Sequence, residues 1–118
     1  MPIPRKRDVP AYPDGVVCFG TVKKEPSTFS AKQNPVKSSD LDLKNCGVFA
    51  FENLREQDID YAEQMGTTYS LKIRTPKIPG VKADLKAVIN GVMYDVSRVD
   101  PSAYELYIYL EGGRELDE

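Results

Sequence analysis

With 118 residues, the chain is long enough for one domain and too short for two comfortable ones. Apolar residues make up 41% and charged residues 29%, which predicts a modest core, a well-solvated surface and some segment that does not pack. A net charge of −2 with no basic stripe argues against a nucleic-acid footprint. The absence of histidine removes the usual general base, the commonest metal ligand and any Ser–His or Cys–His pair.

Residues 1–13 hold four prolines and no periodic pattern, so they read as an extended N-terminal arm. From Gly15 to Lys23 the pattern is a strand, with Val16, Cys18, Gly20 and Val22 on one side and Val17, Phe19, Thr21 and Lys23 on the other. Apolar residues on both sides at its start point to burial or a subunit contact, which makes Phe19 an interface candidate. Residues 24–45 carry two prolines, several Ser, Asn and Asp, and no period; they read as a long irregular loop, of the kind that is usually functional or disordered. β character resumes from Cys46 to Leu54, with Phe49 and Phe51 sharing a face. Leu54, Asp58, Tyr61, Ala62 and Met65 then recur at helical spacing, and Gly66 is a natural stop. The acids Asp58, Asp60 and Glu63 read as the solvated face of that helix.

The centre of the chain is a hairpin. Asn90-Gly91 is the strongest short-range signal for a type I′ turn, because both central residues need positive φ. A two-residue turn pairs Ile89 with Val92 and places Leu85, Ala87 and Ile89 on the same face as Val92, Tyr94 and Val96. On either side Tyr69, Leu71 and Ile73 alternate with polar residues, as do Tyr104, Leu106, Ile108 and Leu110. In this pattern Tyr104 belongs to the core, and Tyr107 and Tyr109 are half-exposed positions suited to a protein interface. Residues 112–118, with Gly112-Gly113 and a run of acids, read as a flexible tail. The sum is a mainly β single domain spanning 1–118, a small antiparallel barrel of about six strands over 14–111 with one short helix, since closure removes exposed edges.

Cys18 and Cys46 each sit in an apolar run, where a free Cys behaves as a small buried hydrophobe. No apolar run approaches the ~18 residues a membrane span needs and no signal peptide opens the chain, so a cytosol-like compartment is expected and a disulfide is the less favoured reading. No residue constellation suggests catalysis, a cofactor or a metal: Asp40 and Asp42 lack the spacing and glycine of a calcium loop. A tyrosine platform for single strands would carry Lys and Arg, whereas Tyr107 and Tyr109 are flanked by Glu105 and Glu111.

Taken together, residues 14–111 resemble the head–tail adaptor, or head-closure (stopper), family of tailed bacteriophages. The motifs are Asp14-Gly-Val-Val-Cys-Phe-Gly20, Val48-Phe-Ala50, Leu54-Arg-Glu-Gln-Asp58, Tyr61-Ala62, Tyr69-Ser-Leu-Lys-Ile-Arg74, Val88 to Asp100 and Glu105 to Leu110. The resemblance lies in their order and spacing. It implies a structural virion protein forming a ring below the portal, between the DNA-filled head and the tail, assembled in the host cytoplasm. Its implied partners are further copies of itself, a portal or adaptor protein, a tail-terminator or tail-completion protein, and packaged DNA passing through without sequence-specific contacts, with no membrane. It also makes 24–45 a candidate channel loop, with Phe29, Lys32, Lys37, Asp40 and Asp42 as its positions. The alternative reading is a monomeric barrel, OB-like or SH3-like, that binds nucleic acid or a peptide.

Overall fold

In the computed structural model, which describes residues 11–23 and 40–116, six antiparallel strands close on themselves. They are β1 (Gly15–Val22), β2 (Leu41–Glu52), β3 (Leu71–Pro76), β4 (Lys86–Ile89), β5 (Val92–Pro101) and β6 (Glu105–Glu115), with α1 (Glu56–Gln64) between β2 and β3. Around the barrel the order is β1-β2-β3-β6-β5-β4. Closure is made by β1 against β4, where Val17 faces Ile89 and Phe19 faces Ala87.

The expected hairpin forms in the expected register. Ile89 pairs with Val92 and Ala87 with Tyr94, across a turn in which Asn90 and Gly91 have φ of 50° and 77°. Every strand contributes to one interior: Val17 and Phe19, Phe49, Ile73, Ala87 and Ile89, Val96, and Leu106, Ile108 and Leu110. Period-2 alternation alone places these side chains inside.

Four boundaries differ from the sequence reading. β2 begins at Leu41, so the irregular segment is shorter than 24–45, and Asp42 lies in a strand opposite Thr21. The polar residues that hid this strand surround a bulge. Phe19 faces Asn45 and Gly20 faces Leu43, which leaves Lys44 as the extra residue. Leu41 and Leu43 consequently pack with Val22, Val88, Met93 and Leu116 in a separate apolar cluster. β6 runs on through Gly112-Gly113 to Glu115 and Leu116 is buried, so a flexible tail does not begin at 112. Near the amino end, Tyr12 donates its hydroxyl to Glu105 (2.8 Å) and lies over Arg74, which anchors the last part of the predicted arm. Finally, Tyr104 sits in the β5–β6 turn and is 82% exposed; it is not a core residue.

The two cysteines also differ from expectation. β1 and β2 bring Cys18 directly opposite Cys46, with Cα atoms 4.0 Å apart, and the two form a disulfide. They alternate with buried Val17 and Phe19, so they lie outside the barrel beside the exposed pair Val16 and Val48, and Cys46 is itself exposed. A directly opposed pair on one strand face is already within bridging reach, which the two apolar runs taken separately did not reveal.

Candidate functional site: a cation–aromatic cleft beside the helix

The helix is placed by its ends. Arg55 at the N-cap has extended backbone, and its N–H donates to the Asp58 carboxylate at 3.0 Å, the return half of a capping box. At the other end Thr67 N–H reaches Ala62 O (2.9 Å) and Gly66 N–H reaches Glu63 O (3.1 Å), with Gly66 at φ 75°. That is a Schellman stop, which only a residue tolerant of positive φ closes cheaply. Held this way, α1 lies over the outer face of the barrel. Ala62 packs with Tyr69 and Tyr109 beneath it, with Leu54 and Tyr107 alongside.

Asp58 is therefore not on a solvated face. It is 7% exposed and accepts from Lys72 Nζ (3.1 Å) and the Tyr109 hydroxyl (3.1 Å) as well as from the Arg55 backbone. Burial pushes its carboxyl up, but these three donors outweigh burial and hold it below the ordinary carboxylate range. Lys72 is 6% exposed. Burial opposes its charge, yet Asp58 and Tyr109 raise its pKa above the usual lysine value, so the pair is ionised at neutral pH. Burial also lifts the Tyr109 hydroxyl above its ordinary value, with Lys72 opposing, which keeps it a neutral donor.

Beside this triad opens a cleft of about 400 Å³. Its floor is Lys72, Tyr107 and Tyr109, and its walls include Arg55 and Tyr61 from the helix side and Arg98 and Asp100 from β5. The Arg98 guanidinium sits 4.5 Å from the Tyr61 ring centroid and 4.7 Å from that of Tyr109. Lys72 Nζ lies 5.4 Å from the Tyr107 ring and 5.1 Å from that of Tyr109. Rings at these distances hold cations by their quadrupoles. A second polar cluster, next along β3, joins Arg74 to Glu52 (3.1 Å) and Glu105 (2.7 Å). Burial would raise Glu105, but Arg74 and Tyr12 keep it below the ordinary range.

The residues singled out from sequence fare unevenly. Tyr107 is half-buried and lines the cleft. Tyr109 is 3% exposed under the helix, so it supports the cleft and is not itself an exposed interface position. Phe19 is fully buried in the barrel, so it is no interface residue. Asp42 is on β2 and pairs with Lys44 at 3.5 Å, and Asp40 closes the hairpin end, its carbonyl accepting from Lys23 N–H at 2.9 Å. Phe29, Lys32 and Lys37 lie outside the described residues. Sequence reasoning missed Arg55, Lys72 and Arg98. The available signal was a Lys and an Arg facing the same side as two tyrosines on strands that pair, but the β3–β6 and β5–β6 registers were needed to see it.

Among the described residues no group of three or more Cys, Asp or Glu is placed to hold a metal ion, and no helix is long and apolar enough to cross a membrane. The chain matches no protein-family model and no curated protein.

Proposed function

We propose that this chain is a structural assembly subunit of the head-closure type, forming a ring in the neck of a tailed bacteriophage that joins the DNA-filled head to the tail. One observation carries the reading. A closed barrel holds its first hairpin paired to its very end, at Val22 with Leu41 and Lys23 N–H to Asp40 O, so Lys23 and Asp40 meet at a single point of the rim. In the ring, that rim point faces the channel. The exposed apolar pair Val16 and Val48 on the outside of the same hairpin supplies a side-chain surface for neighbouring copies.

The test is deletion of the gene from the source phage or prophage, with complementation in trans, read by negative-stain imaging. Filled or partly emptied heads beside finished, unattached tails, rescued by the gene, are expected. Intact virions from the deletion refute the neck role. A second reading, a barrel that binds a peptide as a monomer, draws on a different observation, the cleft beside α1.

A further inference from the structure

We infer that the cleft between α1 and the β3–β6–β5 face is a docking site for an acidic peptide segment of a partner chain, taking one side-chain carboxylate against Arg98. The inference does not depend on the neck role, since it concerns what the cleft recognises and not where the protein works.

Charge is the first argument. Arg55, Lys72 and Arg98 bring three positive charges to the cleft, and Asp58 and Asp100 bring two negative ones. Asp58 is turned inward and spent on Lys72, Tyr109 and the helix N-terminus. One positive charge is left over. A single carboxylate neutralises it, whereas a phosphate dianion would leave the cleft net negative, with Asp100 on its wall.

Geometry is the second. The Arg98 guanidinium lies against the Tyr61 and Tyr109 rings, and a hydrogen bond with Tyr69 takes part of its N–H edge, leaving the remaining N–H groups to meet a ligand. The Asp100 contact with that edge is long, at 3.4 Å. A carboxylate arriving from solvent can therefore take the shorter, paired geometry that guanidinium and carboxylate favour. The half-buried Tyr107 ring offers an apolar wall for the methylenes of the same side chain.

Size and surroundings are the third. At about 400 Å³ the cleft lies at the low end of small-molecule sites, enough for a side chain and its neighbours but not for a helix. Nucleic acid would need successive phosphates met along a track of cations, and here the cations are gathered at one point beside carboxylates.

The experiment is an NMR titration of the isotope-labelled full-length protein, following backbone amides and arginine side-chain signals. The probes are the peptide acetyl-Gly-Glu-Glu-Leu-Gly-amide, its Gln-Gln counterpart, inorganic phosphate and a short oligothymidylate. Saturable shifts centred on Arg98 and Tyr107 with the Glu peptide, and none with the other three, are expected. Arg98→Lys, which keeps the charge but loses the fork, should bind the Glu peptide about tenfold more weakly, the loss of one charge-assisted hydrogen bond. Arg55→Gln, at an exposed position, provides a second weakened variant should Arg98→Lys fail to fold. Equal binding of the Gln peptide, tighter binding of phosphate or oligonucleotide, or no saturable shift with the Glu peptide would each overturn the inference.

Discussion

Removing the Cys18–Cys46 bridge should cost several kcal/mol although it leaves every core side chain in place. The bond links residues 28 positions apart, so in the unfolded chain it closes a loop of about that length. Loop-closure entropy of about 2.1 + 1.5R ln n then amounts to about 12 cal/mol/K for this loop, or about 3.6 kcal/mol at 25 °C. Unfolding entropy near 2.1 cal/mol/K per residue converts that, for a chain of this size, into a fall in Tm of roughly 15 °C. The assay is a thermal melt of the wild type and of Cys18→Ala/Cys46→Ala, followed by circular dichroism. Because Cys46 is exposed, reductant should reach the bond in the folded state, and reduced wild type should melt close to the double variant. A double variant melting within about 3 °C of the oxidised wild type would refute the chain-entropy reasoning. Two free thiols in the denatured, unreduced chain would refute the bridge itself.

Three further outcomes follow from the cleft and the barrel. Lys72→Met should lower stability by about 3–5 kcal/mol, because it strands the buried Asp58 carboxylate, while Asp58→Leu/Lys72→Met should recover only part of the loss, since the Arg55 N–H and the Tyr109 hydroxyl then lack their acceptor; urea unfolding of the three proteins decides, and equal midpoints for wild type and Lys72→Met would be fatal to the idea. Asp58 and Glu105 both have carboxyls held below the ordinary range in the fold. Their contribution is thus complete above the unfolded pKa, about 4, and disappears as pH falls through the lower folded values; urea midpoints should be flat from pH 7 to 5 and drop below 4, and Asp58→Asn should flatten that drop. Gly20→Ala should cost about 1–3 kcal/mol or more, since a Cβ there would lie 1.9 Å from the Asp42 carbonyl oxygen; a melt unchanged from wild type would show that the bulge yields freely.

The parts of the fold that could be read ahead of time are those whose signals are local. Asn90-Gly91 dictates its own turn, and that turn fixes the register of Ala87 against Tyr94 without help from the rest of the chain. The helix was legible from Asp58, Ala62 and Gly66 for the same reason, its two caps lying within one turn of it. What was lost depends on pairings between distant segments. Leu41 and Leu43 keep the numbering phase of Phe49, but the bulge at Lys44 turns them to the opposite face of β2, which no pattern within the strand announces. Tyr104 continued the alternation of β6 on paper, yet the turn through Ser102 takes it out of the strand. The cleft was invisible because Asp58 and Tyr109 are 51 positions apart, and a lysine at position 72 between apolar neighbours reads as an ordinary solvent-facing residue until a helix is laid over it.

The strand order has a consequence for how the molecule comes into being. Around the ring, β1, β2 and β3 are contiguous, and so are β6, β5 and β4, so the barrel is two three-stranded halves joined through residues 77–85. They meet along two seams, β1 with β4 and β3 with β6. A ribosome delivers the first half while both of its outer strands still lack neighbours, and Ile73 cannot be covered until Ile108 has been made. Each half has its own short-range pairings to form early, but neither has an interior. Maturation of this protein is therefore a docking event between two sheets within one chain, and the interval before the seams meet is when it is most open to wrong partners.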